Sequence, residues 1–116
     1  LGTSAVLDPG VFYEEAAKAV KTMGKRAVFL VGRANYESYR TALGGDDIHV
    51  VAYAPHSLLM PRAAVNVHQG GIGTTAQALR AGRPMVVVPF SHDQPDNAQR
   101  CVKLGVGTSV ERSRMR

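Results

Sequence analysis

Apolar residues recur along this chain in two rhythms, short unbroken runs and stretches spaced by three and four. Over residues 9–23, Phe12, Ala16, Ala19, Val20 and Met23 fall at helical spacing with Glu14, Glu15, Lys18 and Lys21 largely outward, and Gly24 ends the predicted helix. The run Ala27-Val28-Phe29-Leu30-Val31 predicts a short buried strand with an exit loop at Gly32-Arg33. A short helix over 36–43, stopped by Gly44-Gly45, leads through a solvated Asp46-Asp47 turn into a strand over 48–52. Pro55 and Pro61 bracket a brief turn, and 64–67 has strand composition. After it the side chains shrink abruptly in His68-Gln69-Gly70-Gly71-Ile72-Gly73-Thr74-Thr75. The pattern then predicts a helix over 74–81 packing through Ala76, Ala78 and Leu79, with Gly82 in the C′ position and Pro84 beyond. A strand over 84–88, a helix over 94–104 ended by Gly105, and a strand over 108–110 follow, while 1–8 reads as a strand end and loop.

This alternation predicts an α/β fold, a doubly wound parallel sheet of Rossmann-like type with right-handed crossovers and helices over both faces. Ligands of such sheets bind beyond the carboxyl ends of the strands, where Tyr53, His68 and Asp93 all fall.

The stretch from His68 to Thr75 has the chemistry of an anion site. A helix start leaves backbone N–H groups unpaired at the positive end of the macrodipole, and glycines let a phosphate approach without meeting a Cβ. Gly70, Gly71 and Gly73 supply that approach, Thr74 and Thr75 add hydroxyls, and His68 is placed to give an imidazole N–H to a phosphate oxygen. A tight turn between strand and helix is the plainer reading. A dinucleotide fold is the sharper rival, because Gly71-Ile72-Gly73-Thr74-Thr75-Ala76 satisfies G-x-G-x-x-A. That fingerprint normally follows the first strand of its domain, with an acidic residue ending the second; here two strands come earlier and Asp93 sits in a loop.

Composition narrows the field. A chain of 116 residues makes one domain with a single core. It opens without Met on what reads as a strand end and closes on an arginine-rich run, so it reads as a piece of a longer protein, cut at both ends. The net charge of +5 suits acidic partners such as nucleotide diphosphates. Without Trp or a basic stripe interleaved with stacking groups, the chain does not read as a nucleic-acid binder. Cys101 is the only cysteine, so no internal disulfide or cysteine-based zinc cluster forms, in keeping with a cytoplasmic setting; no apolar run is long enough to span a bilayer. His49, His92 and Cys101 carry no assigned chemistry.

Several blocks in a fixed order add a family resemblance. The His68 to Thr75 stretch, then Leu79-Arg80-Ala81-Gly82-Arg83-Pro84-Met85, then Val88-Pro89-Phe90 through Asp93-Gln94-Pro95-Asp96-Asn97-Ala98, resemble the signature of nucleotide-sugar glycosyltransferases of the GT-B fold. The UDP-glycosyltransferases, including bacterial macrolide and sterol types, are similar in style. Tyr53-Ala54-Pro55-His56 resembles the family's Trp-Ala-Pro-Gln block, and Leu1-Gly2-Thr3-Ser4 its Gly-Ser turn. The resemblance implies that residues 1–116 form the C-terminal, nucleotide-sugar (donor) binding domain of an enzyme whose N-terminal acceptor domain is absent here. The implied reaction transfers a hexosyl group from a UDP- or dTDP-sugar to an acceptor hydroxyl.

Carried over by position, the resemblance implies that Tyr53 stacks on the base and Ala54 reads its edge. His56 lies near the base or ribose, and Gln77 stands nearest the Glu that in many relatives grips the ribose hydroxyls. It implies that His68, Gly70, Gly71, Gly73, Thr74 and Thr75, with Thr3 and Ser4, hold the diphosphate, and that Asp93 and Gln94 bind the transferred sugar. His68 then assists the leaving diphosphate, no cofactor or metal is required, and the general base belongs to the other domain. The partners implied are a nucleotide-sugar and an acceptor-binding domain or partner chain. Two other readings stay open: an NAD(P)-binding domain of an oxidoreductase, and a non-catalytic nucleotide-sugar-binding subunit of a two-chain glycosyltransferase.

Overall fold

The computed structural model describes residues 10–90 and 94–111, in which helices and parallel strands alternate. They form two compact units that divide between Ala54 and Pro55.

In the first unit, helix α1 (Phe12–Met23) is followed by β1 (Ala27–Leu30), α2 (Tyr36–Leu43) and β2 (Ile48–Val51). The strands pair in parallel, from Ala27 opposite Ile48 to Leu30 opposite Val51. Glu14 and Glu15 in the first turn of α1 and Lys21 in the last complement its macrodipole. Gly24 ends the helix in the left-handed conformation, donating its N–H to the Lys21 carbonyl.

The inward stripe of α1 is Phe12, Tyr13 and Ala17, not the spacing through Ala16, Ala19, Val20 and Met23 expected from the sequence, and Met23 is 61% exposed. Tyr13 makes the difference. Its ring centroid lies 5.2 Å from that of Phe12, 5.8 Å from Phe29 and 4.9 Å from Tyr39, and its hydroxyl donates to the Leu30 carbonyl. A large ring with its polar tip satisfied gains more from burial than Ala or an unbranched Met, so the helix turns to bury it. Burial, with Tyr39 adding, raises the Tyr13 pKa, so the hydroxyl stays a donor.

The second unit begins with a short helix α3 (His56–Leu59) and a 3-10 turn (Met60–Arg62) where the sequence predicts only a turn. Then come β3 (Asn66–His68), α4 (Ile72–Ala81), β4 (Met85–Val87), α5 (Gln94–Lys103) and β5 (Gly107–Ser109). All pairings are parallel in the order β3-β4-β5. Met60, Ala78, Met85, Val87, Ala98 and Cys101 form the core between this sheet and helices α4 and α5. The Cys101 thiol is buried there, and burial raises its pKa.

Two expectations change in this unit. Helix α4 starts at Ile72 with Gly71 as N-cap, so Gly73 sits inside its first turn; of its expected packing residues only Ala78 is buried, while Ala76 and Leu79 are exposed. On β3 the polarity is inverted. Asn66 and His68 point inward and Val67 is 50% exposed. The buried polar groups are bonded, as burial requires: Asn66 Nδ2 donates to the Met60 carbonyl at 3.1 Å, and His68 is engaged as described below.

Candidate functional site

The loop between β3 and α4 is built around Gly70. Its φ of 92° lies in a region that favours glycine, and a Cβ there would stand 2.9 Å from Val87 Cγ1 and 3.1 Å from the Gln94 carbonyl oxygen. Side chains hold both of its polar backbone groups. The Gly70 N–H donates to His68 Nδ1 at 3.1 Å, and the Gly70 carbonyl accepts from Asn97 Nδ2 at 2.7 Å.

His68 is 2% exposed. Because Nδ1 accepts from Gly70, the ring proton of the neutral imidazole resides on Nε2, which lies 3.3 Å from the Met85 sulfur. Burial lowers its pKa to about 4, with His56 adding to the effect. The imidazole is therefore neutral at pH 7, with Nδ1 engaged by the Gly70 N–H and Nε2 beside the Met85 sulfur. Its bond to Gly70 shapes the loop from beneath.

Above that support the backbone is open. Gly71 caps α4 with no side-chain bond, and the first intrahelical bond runs from the Thr75 N–H to the Gly71 carbonyl at 2.8 Å. The N–H groups of Ile72, Gly73 and Thr74 precede it and have no intrahelical acceptor. Among the described residues a Cβ on Gly73 would meet no packing neighbour within 4 Å, whereas one on Gly71 would stand 3.2 Å from Gln69 Nε2. The buried Thr75 Oγ1 and Gln69 Oε1 have no hydrogen-bond partner among the described residues. The result is a helix start whose first N–H groups have no helical acceptor, with room beside Gly73 among the described residues.

Of the other residues singled out in the sequence, Gln94 is 3% exposed and its Oε1 accepts the Phe90 N–H at 2.7 Å. The amide thus ties Phe90, in the loop after β4, to α5. Gln77 is half-buried on α4, and His56 is half-buried at the start of α3, where burial lowers its pKa. Tyr53, 76% exposed, and half-buried Ala54 follow β2 in the first unit. Thr3, Ser4 and Asp93 lie outside the described residues.

The structure adds Asn97 and Met85 to the loop's support. Asn97 was detectable as a polar residue on the face of helix 94–103 that carries Ala98 and Cys101, since a polar group there needs a buried partner. Met85 carried no such signal. Among the described residues, no three His, Cys, Asp or Glu side chains gather as a metal site, and no helix is long and apolar enough to cross a membrane.

A glycine loop and bare helix start beyond the carboxyl end of a parallel strand define a Rossmann-like ligand-binding domain. Residues 29–116 match the model of the erythromycin biosynthesis protein CIII-like C-terminal domain, and the chain belongs to that family. It is 44% identical over 91 residues to O-mycaminosyltylonolide 6-deoxyallosyltransferase of Streptomyces fradiae, covering 78% of this chain and 20% of that protein. It is 33% identical to vancomycin aglycone glucosyltransferase of Amycolatopsis orientalis, over 94% of this chain and 26% of the relative. The chain thus spans about a quarter or less of the length of these curated relatives.

Among solved structures, the glycotransferase of kitacinnamycin matches 88% of this chain and 26% of its own, with a TM-score of 0.78 and 29% identity. Glycosyltransferase VinC, solved in complex with DTDP, matches 64% of this chain and 20% of its own, with a TM-score of 0.56 and 32% identity. The fold is that of the C-terminal half of GT-B glycosyltransferases. The G-x-G-x-x-A letters are therefore not a dinucleotide fingerprint.

Proposed function

We propose that this chain is the donor-binding domain of a glycosyltransferase that moves a hexosyl group from a UDP- or dTDP-sugar to an acceptor hydroxyl. The observation that carries the reading is the start of α4, where the amides of Ile72, Gly73 and Thr74 precede the first helical bond with open space at Gly73. That geometry suits a diphosphate. Gly70, Gly71, Gly73, Thr74 and Thr75 form this site, and the family resemblance adds Thr3 and Ser4 as diphosphate residues. His68 acts on it through Gly70. The family resemblance assigns Tyr53, Ala54, His56 and Gln77 to the base and ribose, and Asp93 and Gln94 to the sugar.

The acceptor oxygen attacks the anomeric carbon, the bond to the diphosphate breaks, and the electron pair leaves with the nucleotide. Amides aimed at the diphosphate stabilise the charge that develops on it, which is the electrostatic form of catalysis and requires no metal. The base that takes the acceptor's proton comes from an acceptor-binding domain or partner chain, and the setting is cytoplasmic.

Isothermal titration with UDP, dTDP and NAD tests the reading. Saturable binding of UDP or dTDP with none of NAD is expected; binding of NAD alone would reverse it. Gly73→Ala provides a sharper probe. Its Cβ meets no packing neighbour within 4 Å among the described residues and alanine is the better helix former, so the melting temperature is expected to hold or rise slightly. The same methyl group obstructs the phosphate approach, so UDP or dTDP affinity should fall about tenfold or more, roughly 1.4 kcal/mol. An unchanged affinity in a stably folded variant would place the diphosphate elsewhere.

A further inference from the structure

We propose that Asn97 is a positioning residue for the diphosphate loop, holding the Gly70 peptide from α5 so that the amides at the start of α4 converge on one point. The inference rests on reading that loop as the diphosphate site.

Asn97 is 9% exposed, and its Nδ2 donates to the Gly70 carbonyl at 2.7 Å across 27 residues of chain. The bond matters because of what it holds. Gly70 is followed at once by Gly71, and two successive glycines have the widest choice of backbone conformations in the chain. His68 Nδ1 fixes the peptide plane before Gly70 through its N–H, and Asn97 fixes the plane after it through its C=O. The second plane contains the Gly71 nitrogen, and Gly71 is the N-cap from which the amides of Ile72, Gly73 and Thr74 follow. Rotating that plane redirects the whole donor set.

Helix α5 is well placed for the task. Its first residue, Gln94, sets its carbonyl oxygen 3.1 Å from where a Gly70 Cβ would stand, and the Gln94 side chain holds the Phe90 N–H. One helix therefore grips both the β3–α4 loop and the β4–α5 loop at Phe90. Asn97 lies one turn in, directed at the first.

A buried asparagine that only satisfies a carbonyl would, when replaced, lower stability and leave the ligand preference of the folded fraction intact. A positioning residue changes the preference itself. The experiment is calorimetric titration of the full chain and of Asn97→Asp with UDP, UMP, dTDP and dTMP, alongside thermal melts. Asp is nearly isosteric but sets a carboxylate against the Gly70 carbonyl instead of a donor. For the nucleotide pair that the wild-type chain prefers, the diphosphate is expected to lose tenfold or more in affinity and the monophosphate much less, so the advantage of the second phosphate collapses. A folded Asn97→Asp that keeps the wild-type diphosphate-to-monophosphate ratio overturns the proposal. Asn97→Ser, smaller and without a charge, is titrated in parallel. Failure of both variants to fold would make Asn97 structural and equally overturn it. If the unmutated chain binds none of the four nucleotides, the donor-site reading itself falls, a result independent of the variants.

Discussion

Gly70→Ala is expected to be among the most damaging single-methyl additions in the second unit, lowering stability by about 2–4 kcal/mol and removing nucleotide diphosphate binding. Two independent costs add. At φ 92° an L side chain is strained, which costs on the order of 1–3 kcal/mol. The new methyl would also stand 2.9 Å from Val87 Cγ1, a fully buried core group, and 3.1 Å from the Gln94 backbone oxygen, neither of which is the loose end of a flexible side chain. Relief requires Gly70 to swing away, and that breaks its bonds to His68 and Asn97. Urea unfolding followed by circular dichroism reads the first effect and titration with UDP or dTDP the second. Gly73→Ala serves as the contrast, because its methyl enters open space. Equal stabilities for the two variants would refute the geometry assigned to Gly70.

Acidification should act on the same joint. The folded state holds His68 neutral with a pKa of about 4, against 6.5 when the chain is unfolded. Between those values the unfolded chain binds more protons, so this contribution to stability is fully present above about pH 6.5. It is lost as pH falls through the folded pKa, to a total of about 3 kcal/mol. The structural reason is direct: protonated His68 carries a hydrogen on Nδ1, where it faces the Gly70 N–H, and a charge in a buried site. His68→Gln keeps an amide that can accept but cannot titrate. Denaturation at pH 7.5 and pH 4.5 should show a clearly smaller pH dependence in the variant. Subtracting the two slopes removes the contribution of His56 and the surface carboxylates. Parallel slopes in the two proteins would mean that His68 is not held neutral by burial.

Much of the architecture is written locally. Gly24, Gly82 and Gly105 end their helices at left-handed turns as placed from the sequence, and the alternation of strand and helix is recovered with ends shifted by three residues or fewer. The glycine loop was legible too, because three glycines within four residues are themselves a local property. Terminal turns, helix caps and glycine conformations involve partners within a few positions, and short-range pattern suffices to read them.

What faces inward was decided elsewhere. On α1 the aromatic partners of Tyr13 come from Phe29 and Tyr39 in other elements, and they turned the helix away from its regular apolar spacing. On β3 the alternation predicts burial of Val67 as readily as of His68; Met60, Met85 and Gly70 settle it by satisfying Asn66 and His68 inside. The amides of Gln94 and Asn97 likewise turn inward because Phe90 and Gly70 present bare backbone groups to α5. A buried polar group is stable only where a partner waits, and these partners lie up to 27 residues away. The sequence alone therefore determined that an open glycine loop meets a helix start. Tertiary structure decided which side chains hold that loop in shape, because their hydrogen bonds exist only once distant elements have packed.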